Sequence, residues 1–153
     1  MKKYLKILFM ISAGLMFLPA GIWLNNQQLA HPYTMPPYVM VNLVCIVLWL
    51  NFSFLMKNEK TATRTVVLSM TLVPAVVFML NVYHHYVLRS YEGALGIYIQ
   101  HYFLPLVFIK LPSFMPLQGL LSMYFSAFLT LVLCSFTGCK AKEAVTALKE
   151  AWS

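Results

Sequence analysis

The sequence predicts an all-α, polytopic membrane protein: a four-transmembrane-helix bundle with both termini cytoplasmic, an interfacial or re-entrant outer segment and a short C-terminal amphipathic helix. Three observations predict it. The 153 residues are 61% hydrophobic and 10% charged, against roughly 45 to 50% and 25% in soluble domains. Four apolar runs reach the ~20 residues needed to cross ~30 Å of hydrocarbon. Nine of the eleven basic residues fall on one side of the resulting topology, as the positive-inside rule requires. A soluble domain this apolar could not clothe its core in polar groups, whereas a bundle in lipid carries apolar residues outside as well as inside. A single membrane domain over 1–153 follows, with the lipid bilayer as its first partner.

The first apolar run, Ile7 to Leu24, stands behind Lys2, Lys3 and Lys6 and predicts a span over about 5–24. The same stretch has the layout of a secretory signal peptide, with a basic start, an apolar middle and small residues at Ala20 and Gly21. Leu18 suits such a cut badly, the run continues through Ile22 and Leu24, and Trp23 sits where an interfacial aromatic belongs, so a retained span is preferred. A neutral outer loop, Asn25 to Pro37, is stiffened by Pro36 and Pro37 before the second span, 38–56, which stops at Lys57-Asn58-Glu59-Lys60. The third span, 65–86, contains Pro74, which predicts a bend. The last covers 117–138.

Between the third and last spans, 94–111 (ALGIYIQHYFLPLVFIKL) is itself long and apolar enough to cross. A fifth crossing would carry Lys140, Lys142 and Lys149 to the outer side, whereas four crossings leave only Arg89 and Lys110 there. Gln100, His101 and Pro105 interrupt the segment, so it is expected to lie in the outer interface or to dip back into the bundle. The cytoplasmic tail, 140–153, places Ala144, Val145, Leu148 and Trp152 at helical spacing. It predicts an amphipathic helix along the inner membrane face with Trp152 as its anchor.

Absent chemistry narrows the function. The chain has no aspartate, and Glu59, Glu92, Glu143 and Glu150 all fall outside the spans, whereas ion-coupled carriers keep an ionisable group within the membrane. Paired carboxylates, a phosphate-binding glycine loop, a GxSxG elbow and an HExxH spacing are missing too. The basic clusters are short and flank apolar runs, which suits topology and not nucleic acid. Cys45, Cys134 and Cys139 form no CxxC and read as small buried hydrophobes.

Two sets of residues remain as candidates. Asn42, Asn51 and Asn81, with a small-residue stripe of Gly119, Ser122 and Ser126 on the last span, mark helix-packing faces within the chain or toward a partner. His31, His84, His85 and His101 all fall on the outer side among seven tyrosines. As an aromatic belt they need no ligand; as a ligand set, joined by Met35 and Met40, they would suit haem or copper. His84 and His85 point about 100° apart on a helix, so one at most faces a given site. The expected function is that of a small, non-enzymatic inner-membrane protein, an accessory or assembly subunit or an immunity-type protein. Its partner would be another membrane protein or further copies of itself. An oligomeric channel or transporter component, and a haem- or copper-binding redox or lipid-modifying protein, are the alternatives.

Overall fold

The structure is a computed structural model that describes residues 2–30, 38–89, 94–106 and 119–152. Among these residues it is all-helical. In chain order come α1 (Lys2–Ala13), a 3-10 turn (Gly14–Met16), α2 (Phe17–Ala30), α3 (Tyr38–Met56), α4 (Thr63–Tyr83) and a π-helical turn (His84–Leu88). Then follow α5 (Ala94–Tyr102), a second 3-10 turn (Leu104–Leu106) and α6 (Leu120–Ala151). Four helices are long and apolar enough to cross a membrane: Tyr4–Ala30, Val39–Met56, Thr63–Leu88 and Leu121–Ala151.

The outside of the bundle is that of a protein dissolved in lipid. Leu5, Leu8, Leu43, Val44, Val47, Leu68, Leu72, Val76, Met79 and Leu133 are all about half exposed or more. In water so much apolar surface would be an aggregation liability; in hydrocarbon it is the solvated face.

The helices differ from their sequence-read limits in three places. The first helix runs on to Ala30, so the first six residues of the expected loop, Asn25 to Ala30, are helical. Asn25 to Gln28 are polar enough to end a hydropathy run, yet an uninterrupted i to i−4 ladder continues through them. The helix also tightens at Gly14–Met16. Pro19 has no N–H to give the Leu15 carbonyl and its ring crowds that group, so the preceding turn adjusts. At the other end of the chain, the tail is no separate helix: α6 is continuous from Leu120 to Ala151. The change from apolar to lysine-bearing sequence near Lys140 interrupts nothing in the backbone.

α4 continues through Pro74, which is buried and lies against Gly14. A Cβ on Gly14 would stand 2.7 Å from the Val73 Cβ and 3.2 Å from the Pro74 Cδ. α6 packs most extensively on α3 and α4. It comes close to the α3 backbone at Gly138, where a Cβ would fall 2.6 Å from the Leu50 carbonyl oxygen. A missing side chain lets two backbones meet, the usual device where lipid supplies no hydrophobic driving force between helices.

The segment 94–106 sits inside this frame. α5 packs on α2 and α4, and the turn after it packs on α2 and α3. Ile99, Tyr102, Phe103 and Leu106 are all at most 4% exposed. Gly21 admits it: a Cβ there would meet the His101 carbonyl oxygen at 1.8 Å.

Candidate functional site

Three regions carry the side chains from which a function can be built: a filled interior, a basic end and a histidine-bearing end.

The interior is closed by aromatic rings. Phe17 lies 5.2 Å from Trp49 and 5.8 Å from Tyr102, Tyr102 lies 4.9 Å from Phe103, and Phe103 lies 5.7 Å from Tyr124, centroid to centroid. All five are at most 4% exposed. Three of them, Trp49, Tyr102 and Tyr124, carry polar atoms into the apolar core, and the first two are satisfied by groups of neighbouring helices, as burial demands. The Trp49 Nε1 donates to the Leu131 carbonyl at 3.0 Å and the Ser135 hydroxyl at 2.8 Å. The Tyr102 hydroxyl donates to the Gly14 carbonyl at 2.5 Å, at the turn that Pro19 has disturbed. Tyr102 therefore belongs to the core, whereas Tyr98 and Tyr86 remain about half exposed.

At the basic end, Glu143 of α6 ties three elements together. Its carboxylate accepts from Lys140 at 2.7 Å, from the Thr63 hydroxyl at 2.6 Å and from Lys57 at 3.1 Å. Lys57, at the end of α3, is almost fully buried and also donates to the Thr61 carbonyl at 3.0 Å. Lys6 reaches the Thr61 hydroxyl at 3.5 Å, so the chain's start, the α3–α4 turn and α6 meet here. The Lys142 ammonium stands 4.8 Å from the Phe54 ring centroid.

Lys140 first, then Thr63 and Lys57, hold the Glu143 carboxyl down at about 2, below its ordinary 4.5. A folded-state value below the unfolded one adds stability at pH above the unfolded value, and that stability is lost as pH falls toward the folded value. The bundle is therefore expected to weaken between about pH 4.5 and pH 2. Glu143→Gln, which cannot ionise, should flatten this acid limb in a denaturation series followed by circular dichroism in detergent.

At the opposite end, His84 is buried and His85 is exposed, so the two adjacent rings do point apart. A π-helical turn carries both and ends at Arg89, whose φ of 50° lies in the left-handed region. His101 is half-buried, with its carbonyl against Gly21. His31 and Met35 lie outside the described residues, and Met40 is exposed on α3. Among the described residues, no three His, Cys, Asp or Glu side chains come together as a ligand set for a metal.

The small polar residues of the spans mostly bond backward to their own helix. Ser126 donates to the Ser122 carbonyl at 2.7 Å and Ser122 to the Gly119 carbonyl at 2.9 Å. Gly119 is the N-cap of α6, with φ of 68° and open space around its Cβ position. Asn81 is buried and donates across the bundle to the Ile99 carbonyl at 3.3 Å, helping to hold α5. Asn42 is buried on α3, its Nδ2 without a hydrogen-bond partner among the described residues. Asn51 differs from both: it is exposed within α3, and its amide donates to the Val47 carbonyl at 2.8 Å.

Sequence reasoning passed over Gly14, Gly21, Gly138, Trp49 and Ser135, where the elements meet. The three glycines lie inside or at the edge of apolar runs, the position where a missing side chain serves close packing; Pro19, five residues after Gly14, was a second signal. No family model, curated protein or solved structure matches this chain.

Proposed function

We propose that this chain is a small, non-enzymatic multi-pass protein of the bacterial inner membrane that acts through its surfaces, as an accessory or assembly subunit of a membrane complex or as an immunity-type protein. Its four spans would leave both termini in the cytoplasm, because the lysines and Arg64 gather at the end where the chain begins and α6 leaves the bundle. In that orientation 94–106 enters the bundle from outside as a re-entrant segment, permitted in lipid because surrounding helices cover it.

The observation that carries the reading is Asn51. It sits on an exposed α3 face otherwise built from Leu43, Val44, Val47, Leu48 and Leu55. One amide hydrogen is used on Val47, and the side-chain oxygen would face hydrocarbon. Polar groups within a membrane are turned toward protein, and amides of this kind bond across helices. The α3 face is therefore a contact face for a second membrane helix, from a partner or from another copy of this chain. The aromatic filling of the interior agrees, since a closed single-chain bundle exerts its effect from outside.

Gentle extraction of the full chain, followed by sizing and mass analysis, tests this. The expected result is a stoichiometric partner or homo-oligomer that Asn51→Leu loses at least about fivefold, while leaving the bundle's own unfolding unchanged. A wild-type protein recovered alone and monomeric would contradict it.

A further inference from the structure

Between α4 and α6, at the basic end, lies a groove of about 340 Å³ lined by Thr63, Arg64, Val67, Leu68, Phe136 and Lys140. Its lips open sideways, toward lipid: Leu68 is 56% and Phe136 49% exposed. Its cations stand together at the end where the apolar surface stops. Arg64 and Leu68 are one helical turn apart, so the Arg64 backbone stands about 6 Å nearer the basic end than that of the apolar lip. The Lys140 ammonium stands 5.7 Å from the Phe136 ring centroid and 2.7 Å from Glu143.

Charge is not balanced there. Glu143 is one carboxylate against two ammonium groups, Lys57 and Lys140. Arg64 is exposed and makes no ion pair with any described residue. The first turn of α4 opens at the same place, and its N-cap, Ala62, supplies no side-chain bond to the leading amides. A helix N-terminus so left is a weak attractor for anions, and an arginine fork binds phosphate bidentately. An apolar slot beneath this cationic mouth fits one class of molecule: a phosphate with an acyl chain attached.

We propose that the α4–α6 groove binds one anionic glycerophospholipid of the cytoplasmic leaflet. Its phosphate lies between Arg64 and Lys140, and one acyl chain runs along Val67, Leu68 and Phe136. Basic pockets between transmembrane helices on the cytoplasmic side recognise anionic headgroups in this way. The lipid would bridge α4 and α6 from outside at the level where Glu143 bridges them from within. It also gives a role to Arg64, which has no ion pair with any described residue, beside Lys57 and Lys140, which share Glu143.

The test is native mass spectrometry of the detergent-solubilised full chain, titrated separately with phosphatidylglycerol and phosphatidylcholine of identical acyl chains. The wild type is expected to bind one phosphatidylglycerol at least about fivefold more tightly than phosphatidylcholine, the factor that ~1 kcal/mol per cation implies. Arg64→Gln should remove that preference. Lys149→Gln, which loses the same charge further along α6, should retain it. Three results would overturn the site: equal affinity for the two lipids, equal loss in Lys149→Gln, or displacement of the lipid by millimolar inorganic phosphate. The last would show a simple anion site that needs no acyl chain. Arg64 is exposed, so its replacement leaves the packed bundle intact.

Discussion

Gly21→Ala is expected to unseat the segment 94–106. The added methyl would stand 1.8 Å from the His101 carbonyl oxygen and 2.7 Å from its carbon, and the obstacle is backbone, which cannot rotate aside. Overpacking ordinarily costs about 1 to 3 kcal/mol, and a backbone clash belongs at the top of that range. The loss spreads beyond the contact. Displacing α5 takes Tyr102 away from the Gly14 carbonyl and Asn81 away from Ile99, and it uncovers Phe17 and Trp49 beneath. A cysteine placed at Ile99, which is 4% exposed in the native bundle, should react slowly with a thiol reagent in the parent and rapidly once Gly21 is replaced. Slow labelling in both, with unchanged unfolding in mixed micelles, would mean that the segment is not held there.

Trp49→Ala should be the most damaging single truncation in the core. The indole is fully buried, packs on Phe17 and joins α3 to α6 through two hydrogen bonds. Trp→Ala changes in water-soluble cores cost about 3 to 5 kcal/mol. Here the expectation is about 3 kcal/mol, because lipid offers less reward for burial and most of the loss is packing. Trp49→Phe separates the two contributions. It keeps a ring and removes the N–H, while Ser135 still donates to the Leu131 carbonyl, so no buried acceptor is stranded and the cost should be about 1 kcal/mol. Equilibrium unfolding in a detergent series measures both variants.

What was legible in the chain follows from which forces leave a linear trace. Crossing a bilayer needs a long apolar run, and each of the four spans showed one. Ends of helices leave a weaker trace. Hydropathy falls at Asn25 and at Lys140, yet the hydrogen-bond ladder continues to Ala30 and Ala151, because a change to polar side chains does not break a helix. Close approaches were less visible still. Spacing singles out Gly119 as part of a small-residue stripe, and a Cβ there has open space around it among the described residues, while Gly21 and Gly138 stand at backbone contacts; spacing alone does not say which glycine has a neighbour within the chain.

The segment 94–106 shows the same limit. Its composition allowed a span, an interfacial helix or an inserted segment, and its packing on the bundle depends on Tyr102 reaching the Gly14 carbonyl, a partner eighty-eight residues away in sequence. The histidines were readable as residue types. Their separation, His84 inward and His85 outward, depends on the local turn that carries them.

The proposed topology is a four-crossing bundle whose basic end, with both chain termini, lies in the cytoplasm while 94–106 enters from the other side. Paired reporter fusions in a bacterial host test it most directly, with a fluorescent protein that matures only in the cytoplasm and a phosphatase that is active only outside. Fusions after Trp152 and within the Lys57 to Thr61 turn should fluoresce and lack phosphatase activity, and a fusion after Arg89 should do the reverse. Phosphatase activity after Trp152 would place a fifth crossing in the chain and contradict this topology.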